Sequence, residues 1–98
     1  MQQNQYIQEI QAQAAHFVCK EVGSEILLVP LRDNVADFNQ YLTLNELGSF
    51  IYKLITDGKA FEDILSEILA QYEINDTQAR QDLSAFIDQL YQYTIGHG

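Results

Sequence analysis

The length, composition and charge of the sequence narrow the classes of protein that it can represent. A length of 98 residues predicts one domain. A domain of this size buries only about 60 to 65% of the surface that its unfolded chain exposes, so most apolar residues are needed for the core. Five Lys and Arg against fourteen Asp and Glu give a net charge of −9. This charge repels phosphate backbones and anionic lipid surfaces and favours a partner that carries Lys or Arg, so neither nucleic acid nor a membrane is an expected partner.

The sequence shows no pattern typical of catalysis or metal binding. Cys19 is the only cysteine, so no internal disulfide can form, and we expect it to be a buried hydrophobic residue. No leader or membrane-spanning run is evident, which predicts a cytoplasmic protein. His16 and His97 are too far apart for a zinc site, and no nucleophile–base pair or phosphate-binding glycine loop is present. We therefore predict a protein that is not an enzyme and has no metal or cofactor.

Residues 1–13 form a glutamine-rich N-terminal extension with few apolar anchors. Tyr6, Ile7 and Ile10 could make one weak helical stripe. Because an isolated helix of this length is poorly stable in water, we expect the segment to be weakly ordered. The alternative is a docking segment for a partner. Residues 14–98 are predicted to form the single domain.

Three β-prone runs follow the extension. Residues 14–22 alternate loosely between apolar and polar side chains, and Gly23-Ser24 marks a tight turn. Residues 25–31 form a continuous apolar run that ends near Pro30, which a strand tolerates only at its end or at a bulge. After a polar loop, residues 38–43 alternate again. These patterns predict a three-stranded antiparallel sheet.

From Leu44 the hydrophobic period becomes helical. Three amphipathic helices are predicted, near residues 45–56, 60–73 and 76–94. Thr43 and Asn45 both suit the N-cap of the first helix, and the pattern does not choose between them. The second helix has a weak start, because Ala60 has no side-chain acceptor. The predicted fold class is α+β, winged-helix-like, with the sheet followed by a three-helix bundle.

The order and spacing of these motifs resemble one known family. The motifs, which span about two thirds of the chain, are Ile26–Pro30, Asp37–Asn39, Leu44-Asn45-Glu46-x-Gly48, Asp57-Gly58, Ile64–Tyr72 and Asp82-x-x-x-Phe86-Ile87-x-x-Leu90. They resemble the PqqD-like family, named for pyrroloquinoline quinone synthesis protein D and also called the recognition element of ribosomal peptide maturation. Leu47 and Ala60 depart from the family pattern, which usually has a small or hydroxyl residue at the first position and Thr or Ser at the second.

The resemblance implies a non-catalytic adapter. Such proteins hold the leader segment of a precursor peptide as a strand added beside the third strand and against the third helix. They present the peptide to a maturation enzyme, such as a radical S-adenosylmethionine enzyme. The implied peptide-binding residues are Phe38, Asn39, Gln40, Tyr41 and Leu42 on the strand, and Ala79, Arg80, Leu83, Phe86 and Ile87 on the helix. A monomer or weak dimer is expected.

Several of these residues have a structural alternative. Tyr41 suits a peptide contact and a cover for the core equally well. For Arg80, an ion pair with a neighbouring aspartate is favoured over a contact to the leader, because exposed pairs contribute little. Leu83, Phe86 and Ile87 have the spacing of core residues, so at most one or two of them are expected to line a groove as well.

Two other functions remain open. A winged-helix transcription regulator would use the third helix to read DNA, but residues 78–91 hold one basic residue, Arg80, against two aspartates. A structural subunit that only stabilises a larger maturation complex is the other alternative.

Overall fold

The structure, a computed structural model, describes the backbone of residues 2–97 and the side chains of residues 2–96. The elements in chain order are α1 (Gln2–Gln13), a single 3-10 turn (Ala14–His16), β1 (Phe17–Val22), β2 (Glu25–Arg32), β3 (Val35–Ala36), β4 (Leu42–Leu44), α2 (Glu46–Thr56), α3 (Phe61–Gln71) and α4 (Asp76–His97). The α+β class and the order of an antiparallel sheet followed by three helices are confirmed. Helix α1 and the short strand β3 were not among the elements predicted from the sequence.

Strand β2 is the centre of the sheet. It pairs antiparallel with β1 along one edge, from Phe17 opposite Pro30 to Val22 opposite Glu25. Its other edge pairs with β4 through Ile26–Leu28, and with β3 through Leu31 and Arg32. Within the described residues, the outer edges of β1 and β4 therefore have no strand partner.

Two tight turns fix the register of the sheet. Gly23 has φ 63° at the first central position of the β1–β2 turn, a conformation that glycine adopts without steric cost. Asp33 and Asn34 have φ 55° and 66° between β2 and β3. Two successive positive φ values are those of a type I′ turn, which Asp and Asn tolerate better than other side chains.

The alternation of backbone direction along β2 shows which groups of β4 point outward. The N–H of Ile26 donates to Ser49 Oγ at 2.8 Å, and the same hydroxyl donates to the carbonyl oxygen of Leu44 at 3.1 Å. Ile26 and Leu44 therefore point their backbone groups toward each other. Because the direction alternates by residue, Leu42 also faces β2, whereas the N–H and C=O of Thr43 point away from the sheet.

The third predicted strand is wrong in its first half. Residues 38–40 form a turn, and β4 begins only at Leu42. Asp37 causes this difference: its Oδ1 accepts the N–H of Asn39 at 3.0 Å, and its carbonyl oxygen accepts the N–H of Gln40 at 3.3 Å. An aspartate that captures nearby amides in this way competes with strand pairing.

Side chains cap the N-terminal ends of α2 and α3, in one case from the preceding residue and in the other from a different helix. Asn45, and not Thr43, is the N-cap of α2, since its Oδ1 accepts the N–H of Gly48 at 2.8 Å. Helix α3 has no cap of its own at Ala60. The N–H of Phe61 instead donates at 2.9 Å to Oδ1 of Asn4, which comes from α1.

Helix α1 contradicts the expectation that residues 1–13 are weakly ordered, although Met1 lies outside the described residues. Ile7 and Ile10 are buried in the core. The Tyr6 ring stacks on Tyr91 with centroids 4.0 Å apart, and Gln11 Nε2 donates to the carbonyl oxygen of Ile55 at 2.8 Å. Packing against the other helices thus supplies the stability that an isolated helix lacks.

The core lies between one face of the sheet and the four helices. Its buried members include Ile26 and Leu28 of β2, Leu44 of β4, Ile51 and Ile55 of α2, Ile64 and Ile68 of α3, and Leu83, Ile87 and Leu90 of α4. In β1 only Phe17 is buried, and Cys19 is exposed, so the prediction of a buried cysteine is wrong. Among the described helices, none is both long and apolar enough to cross a membrane.

Candidate peptide-binding site

An open groove runs between β4 and α4. One wall consists of β4 and the first residue after it, and the other consists of the adjacent face of α4. The lining residues are Leu42, Thr43, Leu44 and Asn45 on the first wall, and Phe86, Gln89, Leu90 and Tyr93 on the second. The groove has a volume of about 190 Å³. Since the outward backbone groups of Thr43 border it, the groove combines an open strand edge with a largely apolar floor.

The groove continues into a second compartment beside the start of α2. This compartment also measures about 190 Å³ and shares Asn45, Phe86 and Gln89 with the first. Its other lining residues are Leu47, Gly48, Ile51, Asp82 and Ala85. The two compartments therefore form one channel with the Phe86 ring at its middle.

The channel side of α4 is a single stripe of residues. Asp82, Phe86, Gln89 and Tyr93 follow one another at spacings of four, three and four, so they lie on one face of the helix. The neighbouring stripe, with Leu83, Ile87 and Leu90, is buried against the core. Leu90 reaches both, because it is buried and still touches the groove floor.

The position of the Phe86 ring depends on Gly48. A Cβ added at Gly48 would lie 2.8 Å from Phe86 Cε1 and 3.2 Å from Asn45 Oδ1. No side chain fits at the first of these distances without moving the ring. The glycine thus allows Phe86 to lie directly on the first turn of α2, where it forms the boundary between the two compartments.

Tyr93 joins α4 to the turn that precedes β4. Its hydroxyl donates to the carbonyl oxygen of Gln40 at 2.5 Å, and its ring packs against Phe17 with centroids 5.5 Å apart. Burial raises the pKa of the Tyr93 phenol, and the nearby Asp37 carboxylate raises it further. The phenol is therefore protonated at neutral pH and can donate this hydrogen bond.

The structure places the predicted strand residues at one end of the groove. Leu42 lines it directly. Phe38, Asn39 and Gln40 lie in the preceding turn, where the Phe38 side chain is 62% exposed, and Tyr41 is 55% exposed between that turn and β4. Tyr41 therefore does not cover the core. It remains available for a peptide contact.

The predicted helix residues divide into three groups. Phe86 lines both compartments. Ala79, Leu83 and Ile87 are fully buried, so they support α4 from behind and offer no surface to a ligand in the groove. None of the three lines either compartment.

Arg80 lies outside both compartments and forms ion pairs on the surface. Its guanidinium contacts Asp76 at 2.7 Å and Glu62 at 3.0 Å, and hydrogen bonds to both carboxylates raise its pKa. The preferred interpretation of an ion pair with a neighbouring aspartate agrees with this geometry. The contact to Glu62 also joins α4 to α3.

Sequence reasoning missed several groove residues. The lining residues outside the predicted set are Thr43, Leu44, Asn45, Leu47, Gly48, Ile51, Asp82, Ala85, Gln89, Leu90 and Tyr93. Those on α4 could have been found by stepping three or four positions from Phe86. Among the described side chains, no group of three His, Cys, Asp or Glu is arranged to hold a metal ion.

Comparison with known proteins identifies the family. The family described as coenzyme PQQ synthesis protein D (PqqD) matches residues 25–95, which include β2, β4 and both walls of the groove. Among solved structures, the chain is similar to TbiB1 in complex with the TbiA(beta) leader peptide. The two share 27% sequence identity and superpose with a TM-score of 0.67, over 79% of this chain and 84% of that one.

Comparison with curated proteins found no match. The family assignment rests on the match itself, which spans most of the chain, and the solved structure agrees with it in fold. The chain therefore belongs to the PqqD family.

Proposed function

We propose that this protein is a peptide-binding adapter that captures the leader segment of a precursor peptide by strand addition at β4. The observation that carries the proposal is the outward-facing N–H and C=O of Thr43 beside an apolar groove. A peptide strand that lies there gains main-chain hydrogen bonds from the strand edge. Its alternate side chains enter the groove, and these contacts supply specificity.

The geometry limits the added strand to a short segment. Toward the N-terminus, the Asp37–Gln40 turn ends the extended backbone just before Tyr41. Toward the C-terminus, Asn45 already caps α2. Backbone pairing is therefore centred on Thr43 and reaches about one residue to either side, and the channel along α4 accepts the rest of the peptide.

Two further findings support this function. The chain belongs to the PqqD family. TbiB1, at 27% identity, was solved with a leader peptide bound.

The outer edge of β1 is the other place where a strand could add. Five of its six residues are exposed, it lies at the opposite edge of β2 from β4, and none of its residues lines the channel. A peptide there would pair its backbone without an adjoining α4 wall. We therefore assign the peptide to β4, where the strand edge and the apolar wall occur together.

The adapter role includes a second partner, a maturation enzyme that receives the peptide. A radical S-adenosylmethionine enzyme is the class that the family resemblance implies, and we keep it as part of the proposal. The net charge of −9 and the engagement of Arg80 by two carboxylates argue against the regulator alternative, since α4 presents no free cation between residues 78 and 91 to a phosphate backbone.

The test is to select binders from a displayed library of random peptides at physiological salt and to titrate an enriched peptide into ¹⁵N-labelled protein. We expect the amide signals of Thr43, Phe86 and Gln89 to shift most. The amides of Cys19 and Glu21 on β1 serve as the internal control and should shift little. Shifts confined to β1, or a library from which no peptide is enriched, would contradict the proposal.

A further inference from the structure

The channel contains one formally charged side chain. Of all the residues that line the two compartments, only Asp82 carries a charge, and the residue as a whole is half-buried. One oxygen, Oδ1, accepts a hydrogen bond from Gln78 Nε2 at 2.7 Å. Asp82 thus has a neutral donor at one carboxylate oxygen and borders the channel.

No cation of the described residues neutralises Asp82. The ion pairs join Arg32 to Asp37, Lys53 to Glu21, and Arg80 to both Glu62 and Asp76. Three of the five basic residues are thus engaged elsewhere. Asp82 thus lies without an ion-pair partner among the described residues, at the end of an otherwise uncharged channel.

A peptide that fills the channel removes water from this carboxylate. Loss of hydration disfavours the charged form unless a cation or a hydrogen-bond donor replaces the water. A Lys or Arg side chain on the peptide supplies both. An uncharged side chain at the same place leaves the carboxylate desolvated and unpaired, which lowers affinity for such peptides.

From this arrangement we infer that Asp82 is a specificity-determining residue that selects a basic side chain in the bound peptide. The inference rests on the proposed function, because it presumes a peptide in the channel. It adds the chemical class of the peptide, which is an apolar segment flanked by Lys or Arg.

The helix also gives the position of that basic residue. Asp82 and Tyr93 lie at opposite ends of the channel stripe, eleven residues apart on α4, which corresponds to about 16 Å along the helix axis. An extended peptide rises about 3.3 Å per residue. The basic residue therefore lies about five positions from the peptide residue beside Tyr93, with the apolar side chains between them against Phe86.

The experiment compares peptide selection on three proteins: the parent, Asp82→Asn and Asp88→Asn. Asp88 is an exposed aspartate of the same helix and lines neither compartment, so its replacement removes the same charge without touching the channel. The probe is a displayed library of random peptides, sequenced after enrichment. We expect an apolar motif on all three proteins, with a Lys or Arg at a fixed distance on the parent and on Asp88→Asn only.

The possible outcomes distinguish a failure of the inference about Asp82 from a failure of the proposed function. An apolar motif without a basic preference on the parent overturns the inference and leaves the proposed function standing. A basic preference that persists in Asp82→Asn also overturns the inference, since another group must then select the cation. The absence of any enriched motif on the parent overturns the proposed function itself.

A binding measurement on one enriched peptide gives the size of the effect. Replacing its basic residue with Met should weaken binding to the parent about five- to tenfold, a range between exposed and buried ion pairs. The same replacement should have little effect on binding to Asp82→Asn. The difference should shrink as salt is raised. Equal losses on both proteins would show that Asp82 has only a structural role.

Discussion

Thr43 provides the sharpest test of strand addition, because its N–H points away from the sheet. The change Thr43→Pro removes this donor and places the proline ring where the peptide backbone approaches. The substitution removes no hydrogen bond between β4 and β2, because the N–H of Thr43 does not face β2. The side chain is exposed, and Leu42 before it is already extended, as a residue preceding proline must be.

The expected loss of affinity follows from the bonds that are removed. One backbone hydrogen bond contributes about 0.5–1.5 kcal/mol, and displacement of a neighbouring bond by the ring brings the total to about 1–3 kcal/mol. Peptide binding should therefore weaken by a factor of roughly 5 to 150. The melting temperature should change little. Both are measured on the enriched peptide, by calorimetry and by circular dichroism.

Two further variants make the test specific. Thr43→Val keeps the N–H and the shape of the side chain, so it should bind like the parent. Leu42→Pro removes an N–H that faces β2 together with a half-buried side chain, and it should lower the free energy of unfolding by about 2–4 kcal/mol. If Thr43→Pro stays folded and binds the peptide as tightly as the parent, strand addition at β4 is wrong.

Three other predictions concern the contacts around the groove and the core. Gly48→Ala should push the Phe86 ring aside, lower the free energy of unfolding by about 1–3 kcal/mol and weaken peptide binding. Gly96→Ala is the control: its added Cβ meets nothing within 4 Å, so it should neither destabilise the fold nor weaken binding. Asn4→Ala should cost about 1 kcal/mol in urea denaturation, and Ala60→Ser in the same chain should compensate by accepting the N–H of Glu62 or Asp63; no loss in Asn4→Ala would mean that the Phe61 N–H needs no cap. Burial raises the pKa of Tyr52 and Tyr93, so the folded state keeps phenol protons that the unfolded chain loses above about pH 10. The free energy of unfolding should therefore fall as pH rises through that range, and it should fall less steeply in Tyr93→Phe. The same pH dependence in parent and variant would contradict this.

Helical spacing predicted the three C-terminal helices within a few residues, because each has an apolar stripe that must be buried. The hairpin of β1 and β2 was equally clear from Gly23 and the apolar run after it. The third strand was misplaced because a polar–apolar alternation also fits a turn. Only the side-chain geometry of Asp37 shows that it captures the amides of Asn39 and Gln40.

The candidate site was harder to predict than the fold. On α4 two adjacent stripes carry apolar residues, and the spacing alone does not say which one faces the core. Leu83 and Ile87 belong to the buried stripe, whereas Phe86 belongs to the channel. The order of residues 2–13 was also invisible, because it depends on long-range contacts such as the stacking of Tyr6 on Tyr91.

The hydrogen bond from Phe61 to Asn4 has a consequence for how this sequence can change over time. The family resemblance implies Thr or Ser where this chain has Ala60, and in this chain the acceptor at the start of α3 comes instead from Asn4, in a helix before the matched region. Asn4 accepts the N–H of Phe61, whereas Ser or Thr at position 60 would accept that of Glu62 or Asp63, so the two cap different amides of the same first turn, and losing both leaves it without a side-chain cap. Positions 4 and 60 should therefore covary among relatives that carry α1. A substitution at one of them should cost less stability in a background where the other still supplies an acceptor.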